Sequence, residues 1–426
     1  MPESSVPDPA RPTARRVGGV WFLLFTLAWL AVWTVQLTPI QLLLPLQLDT
    51  PGDGWIEGVV RAGVVLSAGG LAGVLAAPLA GRMSDRTRLV WGRRRPWAAG
   101  GSLVAAVGLL LTGAAEGPLG IGASWVVVSV GVSTAGAAFT ALIADQLDTQ
   151  RGSASAAASA AQAAGVVVGV GAVVVLGLGT GAAYALLAGI IAVVGVGAAA
   201  LLPDRPATRG TVDAPGARRS SLHDRDFLWL LASRFVVNVG NALGTSLLLF
   251  FLRYGIGVPA AEAEDDLLLL IVVYTAFVVA ASVVVGILSD RWGRRRLLTV
   301  LSAVVQAASG VVILLSPDLV VTSVAAAVMG TGYGAYMAVS LAFATDLLRD
   351  PDDHARDLGL VNVSAALGQL VGPLLGAGLV AAVSGFWLLF VGAAVLSLGG
   401  ALMTGAIRAG GRPPTPASRA PGPGRR

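Results

Sequence analysis

Few side chains within the long apolar stretches of this sequence could do chemistry. Glu57 and Arg61 stand four residues apart, in the acid-before-base order that favours pairing on a helix. Such a pair can carry a proton on its carboxylate, close a gate, or anchor a helix at a water boundary. Arg234, Asn238, Asn241 and Thr245 follow one another at helical spacing and draw a single polar stripe on an otherwise apolar segment. Lipid penalises such a stripe, so it must face protein or water. Gln41, Thr38 and Thr34 make a shorter stripe, and Tyr333, Tyr336, Met337 and Ser340 another. Amides, hydroxyls and tyrosines suit a polyol, whose hydroxyls both donate and accept. Lone serines and threonines in such helices more often serve as packing contacts.

Other chemistries lack their residues. Cysteine is absent, and His223 and His354 are the only histidines, both in predicted loops. No Ser–His–Asp set, metal cluster, midplane carboxylate pair or phosphate-binding glycine loop is present. The sequence therefore predicts no catalytic residue, no metal site and no cofactor, and the chain is not read as an enzyme.

The elements that position these residues follow from composition. Hydrophobic residues make up 55% and charged residues 12% of the 426, far too apolar for a soluble chain. A bilayer core needs roughly 20 apolar residues per helix. Twelve spans are predicted, at 18–47, 56–80, 96–115, 119–143, 154–177, 181–202, 227–252, 266–288, 297–315, 319–343, 358–382 and 385–407. The connection at 178–181 is so short that spans five and six are expected to form an antiparallel pair. The expected organisation is a cytoplasmic tail (1–17), a six-helix bundle (18–202), a cytoplasmic linker (203–226), a second six-helix bundle (227–407) and a disordered cytoplasmic tail (408–426).

All 29 basic residues are arginine. With the N-terminus inside, all but Arg61, Arg234 and Arg253 fall in cytoplasmic segments, which predicts a multi-pass protein of the cell membrane with both termini cytoplasmic. The same pattern assigns the basic pI to membrane topology and not to nucleic acid.

The two halves share a motif. Gly81-Arg-Met-Ser-Asp85-Arg86 is followed by Gly92-Arg93-Arg94-Arg95, and Gly286-Ile-Leu-Ser-Asp290-Arg291 by Gly293-Arg294-Arg295-Arg296. Each copy joins the second and third span of its half. The aspartates are anions at helix ends, where arginines or the positive N-terminus of a neighbouring helix can hold them. Asp85 is expected near the start of span eleven, and Asp290 near the start of span five. A second echo pairs Asp145, Arg151, Gly152 and Gln162 with Asp346, Arg356, Gly359 and Gln369. A membrane chain of two related halves reads as a secondary transporter.

These motifs resemble the signature of the major facilitator superfamily, Gly-x-x-x-Asp-Arg-x-Gly-Arg-Arg, which residues 286–295 match directly. The longer first copy, from Pro78 to Pro96, and Leu37-Thr38-Pro39-Ile40-Gln41 are similar to the sucrose-transporter branch and the glycoside–pentoside–hexuronide:cation symporters. The resemblance implies an all-α membrane fold of two pseudo-symmetric six-helix bundles, with helices one, four, seven and ten lining a central cavity. It also implies alternating access, with the repeated motif as a gate. The partners implied are a small solute, a sugar or glycoside in this branch, the bilayer, and a coupling proton or cation; a monomer is expected. The paired helix-two acids of the cation symporters correspond here to Gly73 and Ala77, which supply no carboxylate. The competing reading is a proton-coupled drug or metabolite exporter of the same fold.

Overall fold

The computed structural model describes residues 17–50, 52, 54–147, 150–204, 224–347 and 354–408. Most of the expected tails and linker, with His223, lies outside these residues, as do the side chains of Arg151, His354 and Arg356. Twelve helices are long and apolar enough to cross a membrane. They are α1 (Gly19–Leu48), α2 (Trp55–Arg86), α3 (Arg95–Ala114), α4 (Gly117–Ile143), α5 (Gly152–Val175), α6 (Thr180–Leu201), α7 (Arg225–Ser246), α8 (Ala263–Trp292), α9 (Arg295–Val312), α10 (Leu319–Leu347), α11 (Gly359–Val383) and α12 (Trp387–Gly405).

Each predicted span has its helix, with revised ends. Helices α2 and α8 run on to Arg86 and Trp292, so Ser84-Asp85-Arg86 and Ser289-Asp290-Arg291 lie in last helical turns and not in loops. Hydropathy falls where lipid ends, but backbone hydrogen bonding continues until a residue leaves helical geometry: Thr87 is extended, and Gly293 takes φ +62°. The helix entering α11 begins at His354, earlier than expected for a loop histidine. Leu247 interrupts α7, and helical turns resume to Ile256. A π-helical turn at Pro39–Leu43 widens α1, where proline supplies no N–H to the helical ladder.

Two bundles result. In the first, α4 packs on α2 and α3, α5 on α1, and α6 on α3. In the second, α10 packs on α8 and α9, α11 and α12 on α7, and α12 on α9. The expected α5–α6 pair does not form a packing unit: α5 packs chiefly on α1 and α6 on α3. Close helix approach needs small residues, because lipid offers no hydrophobic drive for association. A Cβ on Gly101 of α3 would lie 2.6 Å from the Ala135 amide nitrogen of α4. The bundles meet through α2 against α11 and α5 against α8.

Polarity decides which helices are lined by protein. In α8 the most apolar stretch has mean hydropathy 2.8 and is 17% buried, whereas in α7 the figures are 1.3 and 61%. The striped helix is thus enclosed by protein and the most apolar one faces outward.

Candidate functional site

The α7 stripe is the centre of a polar cluster in the second bundle. Its spacing puts Arg234, Asn238 and Asn241 on one helical face, and all three are buried. The Asn238 side-chain amide donates to the Arg234 carbonyl at 2.8 Å, while its Oδ1 accepts from the Tyr333 hydroxyl at 2.9 Å and more loosely from Gln369 Nε2 at 3.5 Å. Asn241 Oδ1 accepts from the Tyr274 hydroxyl at 2.9 Å. Gln369 is exposed, and Tyr333 and Tyr274 are half-buried. These three side chains therefore stand in front of the stripe, which forms a second layer behind them. Arg234 Nη1 donates to the Ser340 hydroxyl.

The other expected lining residues divide. Gln41 borders a cavity of about 70 Å³ with Thr245, Tyr274, Thr275 and Met329, where α1 meets the second bundle. Thr38, expected in the cavity, is fully buried against Gly169 of α5, and its neighbour Thr34 donates to the Gly165 carbonyl at 3.1 Å. The Thr34–Thr38 part of that stripe is a packing seam, because small glycines let the two backbones meet there. Tyr336, also expected in the cavity, is fully buried inside its bundle, 2.7 Å from the Ser233 hydroxyl. It faces α12 because one helical step separates the Ser233 face of α7 from the Arg234 face.

At one end the bundles are joined. Arg253 Nη1 donates to Asp49 Oδ2 at 2.5 Å, and the Tyr254 hydroxyl lies 2.9 Å from both Asp49 oxygens. Trp55 stacks between Tyr254 and Phe386, at 5.4 Å from each ring. Further along α2, the Ser67 hydroxyl donates to the Leu370 carbonyl at 2.8 Å. Glu57 pairs with Arg61 on its own helix, and Arg61 also reaches the Thr50 hydroxyl at 3.3 Å. The inter-bundle ion pair here is Asp49–Arg253, which the sequence reading did not single out. Register could have found it: aligning the halves on Asp85 and Asp290 places Asp49 opposite Tyr254.

At the other end the ion pairs of each repeated turn stay within its own half. Beyond Gly70, which faces Leu370, α2 turns to its own bundle: Gly73 faces Ser133, and Gly81 has nothing within reach of a Cβ. Asp85 pairs with Arg94 at 2.5 Å and Asp290 with Arg295 at 3.3 Å. Among the described residues, both aspartates are thus held by arginines of their own turns and are more than half exposed; the side chains at the start of the helix entering α11, where Asp85 is expected, lie outside the described residues. Arg94 also bonds Asp145 at 2.9 Å, and Arg93 reaches the same carboxylate at 2.6 Å. Burial works against the Arg94 charge, but Asp145 and then Asp85 outweigh it and hold its pKa above the ordinary arginine value. Among the described residues, no group of three or more acidic or histidine side chains is placed to hold a metal.

The fold has known counterparts. The family model described as Major Facilitator Superfamily matches residues 22–264 and 262–425. The fold is similar to a crystal structure of the nucleoside transporter NupG, a point mutant, with TM-score 0.72 and 14% identity over 91% of this chain and 99% of that one. It is also similar to a bacterial homolog of the human lysosomal transporter Spinster in an inward-facing, occupied conformation, with TM-score 0.68 and 15% identity over 90% of this chain and 95% of that one. No curated protein matches the sequence.

Proposed function

The chain belongs to the major facilitator superfamily and is a secondary transporter of a small solute, not an enzyme; on that premise we propose that it moves a polar, hydroxyl-bearing solute such as a sugar or glycoside by alternating access between its two bundles. One observation carries this reading: a polar cluster on α7, α8, α10 and α11 lies in an apolar protein, and the bundles are latched at one end by Asp49–Arg253, while the ion pairs of the arginine-rich turns at the other end stay within each half. The arginine-rich turns are cytoplasmic by the positive-inside pattern, so the conformation is inward-facing and the Asp49–Arg253 latch is the closed outer gate. The protein works as a monomer in the cell membrane. Glu57, ion-paired near the outer end of α2, supports that gate and is not the coupling residue.

Reconstituted protein tests this. Uptake into proteoliposomes is measured for a sugar panel and a cationic-dye panel, with and without a pH gradient. Sugar flux reduced at least tenfold by Asn241→Leu, with folding retained, supports the reading. Dye efflux driven by the gradient, with no sugar flux, replaces it with the exporter. Gradient-driven accumulation lost in Glu57→Gln while exchange persists would make Glu57 the coupling residue.

A further inference from the structure

Among the described residues, Arg234 is a buried charge without a counter-ion. Its residue is 1% exposed, and the ion pairs among the described residues do not include it. Its contacts are the Ser340 hydroxyl and, from Nη2, the Met337 sulfur at 3.8 Å; Nε has no acceptor at all. The Asn238 amide points at that same sulfur from 4.0 Å. Two strong donors thus converge on a thioether, among the weakest acceptors a protein owns. Met337 is half-buried and hangs on a flexible, unbranched stem. It covers the guanidinium and can swing aside.

The first bundle repeats the imbalance. The register that superposes Asp85 on Asp290 places Trp29 and Trp33 of α1 at the positions of Arg234 and Asn238. Both indole N–H groups are buried and have no acceptor. The matching helices thus hold donors in excess, one of them a full charge. The hydroxyls of a sugar, which need acceptors as much as donors, do not by themselves balance that set. An oxyanion does, since it only accepts and brings the missing charge.

Building on the reading that the polar cluster borders the transport path, we propose that the transported solute carries an oxyanion, a carboxylate or phosphate, which displaces Met337 and binds Arg234 and Asn238. Met337, half-buried, is the side chain an entering oxyanion moves aside, and a monoanion there cancels the charge that the protein carries through the bilayer core.

The test uses purified full-length protein and two probes, acetate and inorganic phosphate, each compared with chloride at equal ionic strength. Thermal unfolding of the wild type should shift upward with at least one probe; a response to one alone identifies which oxyanion fits. Arg234→Lys should keep a reduced shift and Arg234→Gln none. Met337→Glu supplies an internal carboxylate, so it should raise the midpoint in chloride and remove the response to both probes. The proposal is overturned if neither probe stabilises the wild type, if Arg234→Gln responds as the wild type does, or if Met337→Glu both unfolds earlier and still responds. Transport separates this failure from that of the reading beneath it. If Asn241→Leu abolishes flux while Arg234→Gln carries a neutral sugar at the wild-type rate, the path stands and the oxyanion falls. If Asn241→Leu transports normally, the path itself is misplaced.

Discussion

The two copies of the repeated turn make the same connections with unequal strength. Arg94 and Arg295 hold corresponding positions, and each bridges an aspartate on the second helix of its half to one on the fourth: Asp85 to Asp145, and Asp290 to Asp346. Arg95 and Arg296 also match, each donating to a carbonyl at the end of the sixth helix of its half, Leu202 and Gly405. The first copy is enclosed. Its arginine side chain is 7% exposed against 25% for Arg295. Asp204 accepts from the Arg94 and Arg95 backbone N–H groups at 2.5 and 2.9 Å, and it lies so near Gly92, at φ +123°, that a Cβ there would strike it. The four additional residues of the first turn give the chain length to fold back over Arg94. The second copy ends its helix at once on Gly293, and its charges stay in water. One motif therefore yields a structural clamp in one half and a looser surface network in the other, because burial and not identity sets the strength of an ion pair.

The largest expected effect separates the copies directly. Arg94→Ala leaves Asp145 to Arg93 alone and removes the buried bridge to Asp85, which should cost about 2 kcal/mol of stability, whereas Arg295→Ala should cost less than about 1 kcal/mol. Thermal unfolding of both variants in one detergent checks this, and equal losses would break the comparison. Asp204→Ala, which frees two backbone donors in the first turn, should cost about 1–2 kcal/mol and speed amide exchange at Arg94 and Arg95 while leaving 293–296 unchanged. Exchange that rises equally in both turns would place the difference elsewhere.

The other face of the molecule offers a third lever. Asp49→Asn weakens the latch by about 1 kcal/mol and favours the conformation in which the repeated turns approach each other. A cysteine placed at Asp290 should then label more slowly than in the unaltered latch; faster labelling would contradict the rocking of the two bundles. The smallest effect concerns Asp318, which caps α10 at the end opposite Asp346. Its carboxylate accepts from the Val321 N–H at 2.8 Å. This backbone bond, helped by Ser316, holds its pKa below the ordinary carboxylate value. A lowered carboxylate pKa stabilises the cap above about pH 4, and that contribution is lost as pH falls through the folded value. Amide exchange at Val320 and Val321 should rise below about pH 4, while exchange around Arg295 holds. A cap indifferent to acid would show the bond to be of no consequence.

Twelve spans, two related halves and the family signature were legible because they rest on hydropathy and on repeated spacing, both local properties of a chain in lipid. Within the site, the α7 stripe was legible for the same reason: hydrocarbon admits Arg234, Asn238 and Asn241 only where protein or water meets them. Their partners were not. Tyr333 and Gln369 reach Asn238, and Tyr274 reaches Asn241, from three other helices. Only the packing angles of those helices decide which face meets which. Thr38 and Tyr336 show the converse error, since a polar side chain on a lining helix can point into the seam beside it. Asp49 and Arg253 sit at span ends, where a charge is unremarkable in sequence. Their meaning as a latch appears when the bundles bring them within 2.5 Å.

The sequence by itself determined that this protein crosses a membrane repeatedly, in two matched halves, with its arginines gathered at one face. The free energy of moving charges and unpaired backbone into hydrocarbon leaves no other arrangement of these residues. Tertiary structure alone decided which end is latched, that one copy of the motif is a clamp and the other a surface network, and that Arg234 is enclosed without a carboxylate among the described residues. Each of these depends on the rotation of one helix against another, a choice among packings of nearly equal apolar surface that small residues and a few hydrogen bonds settle.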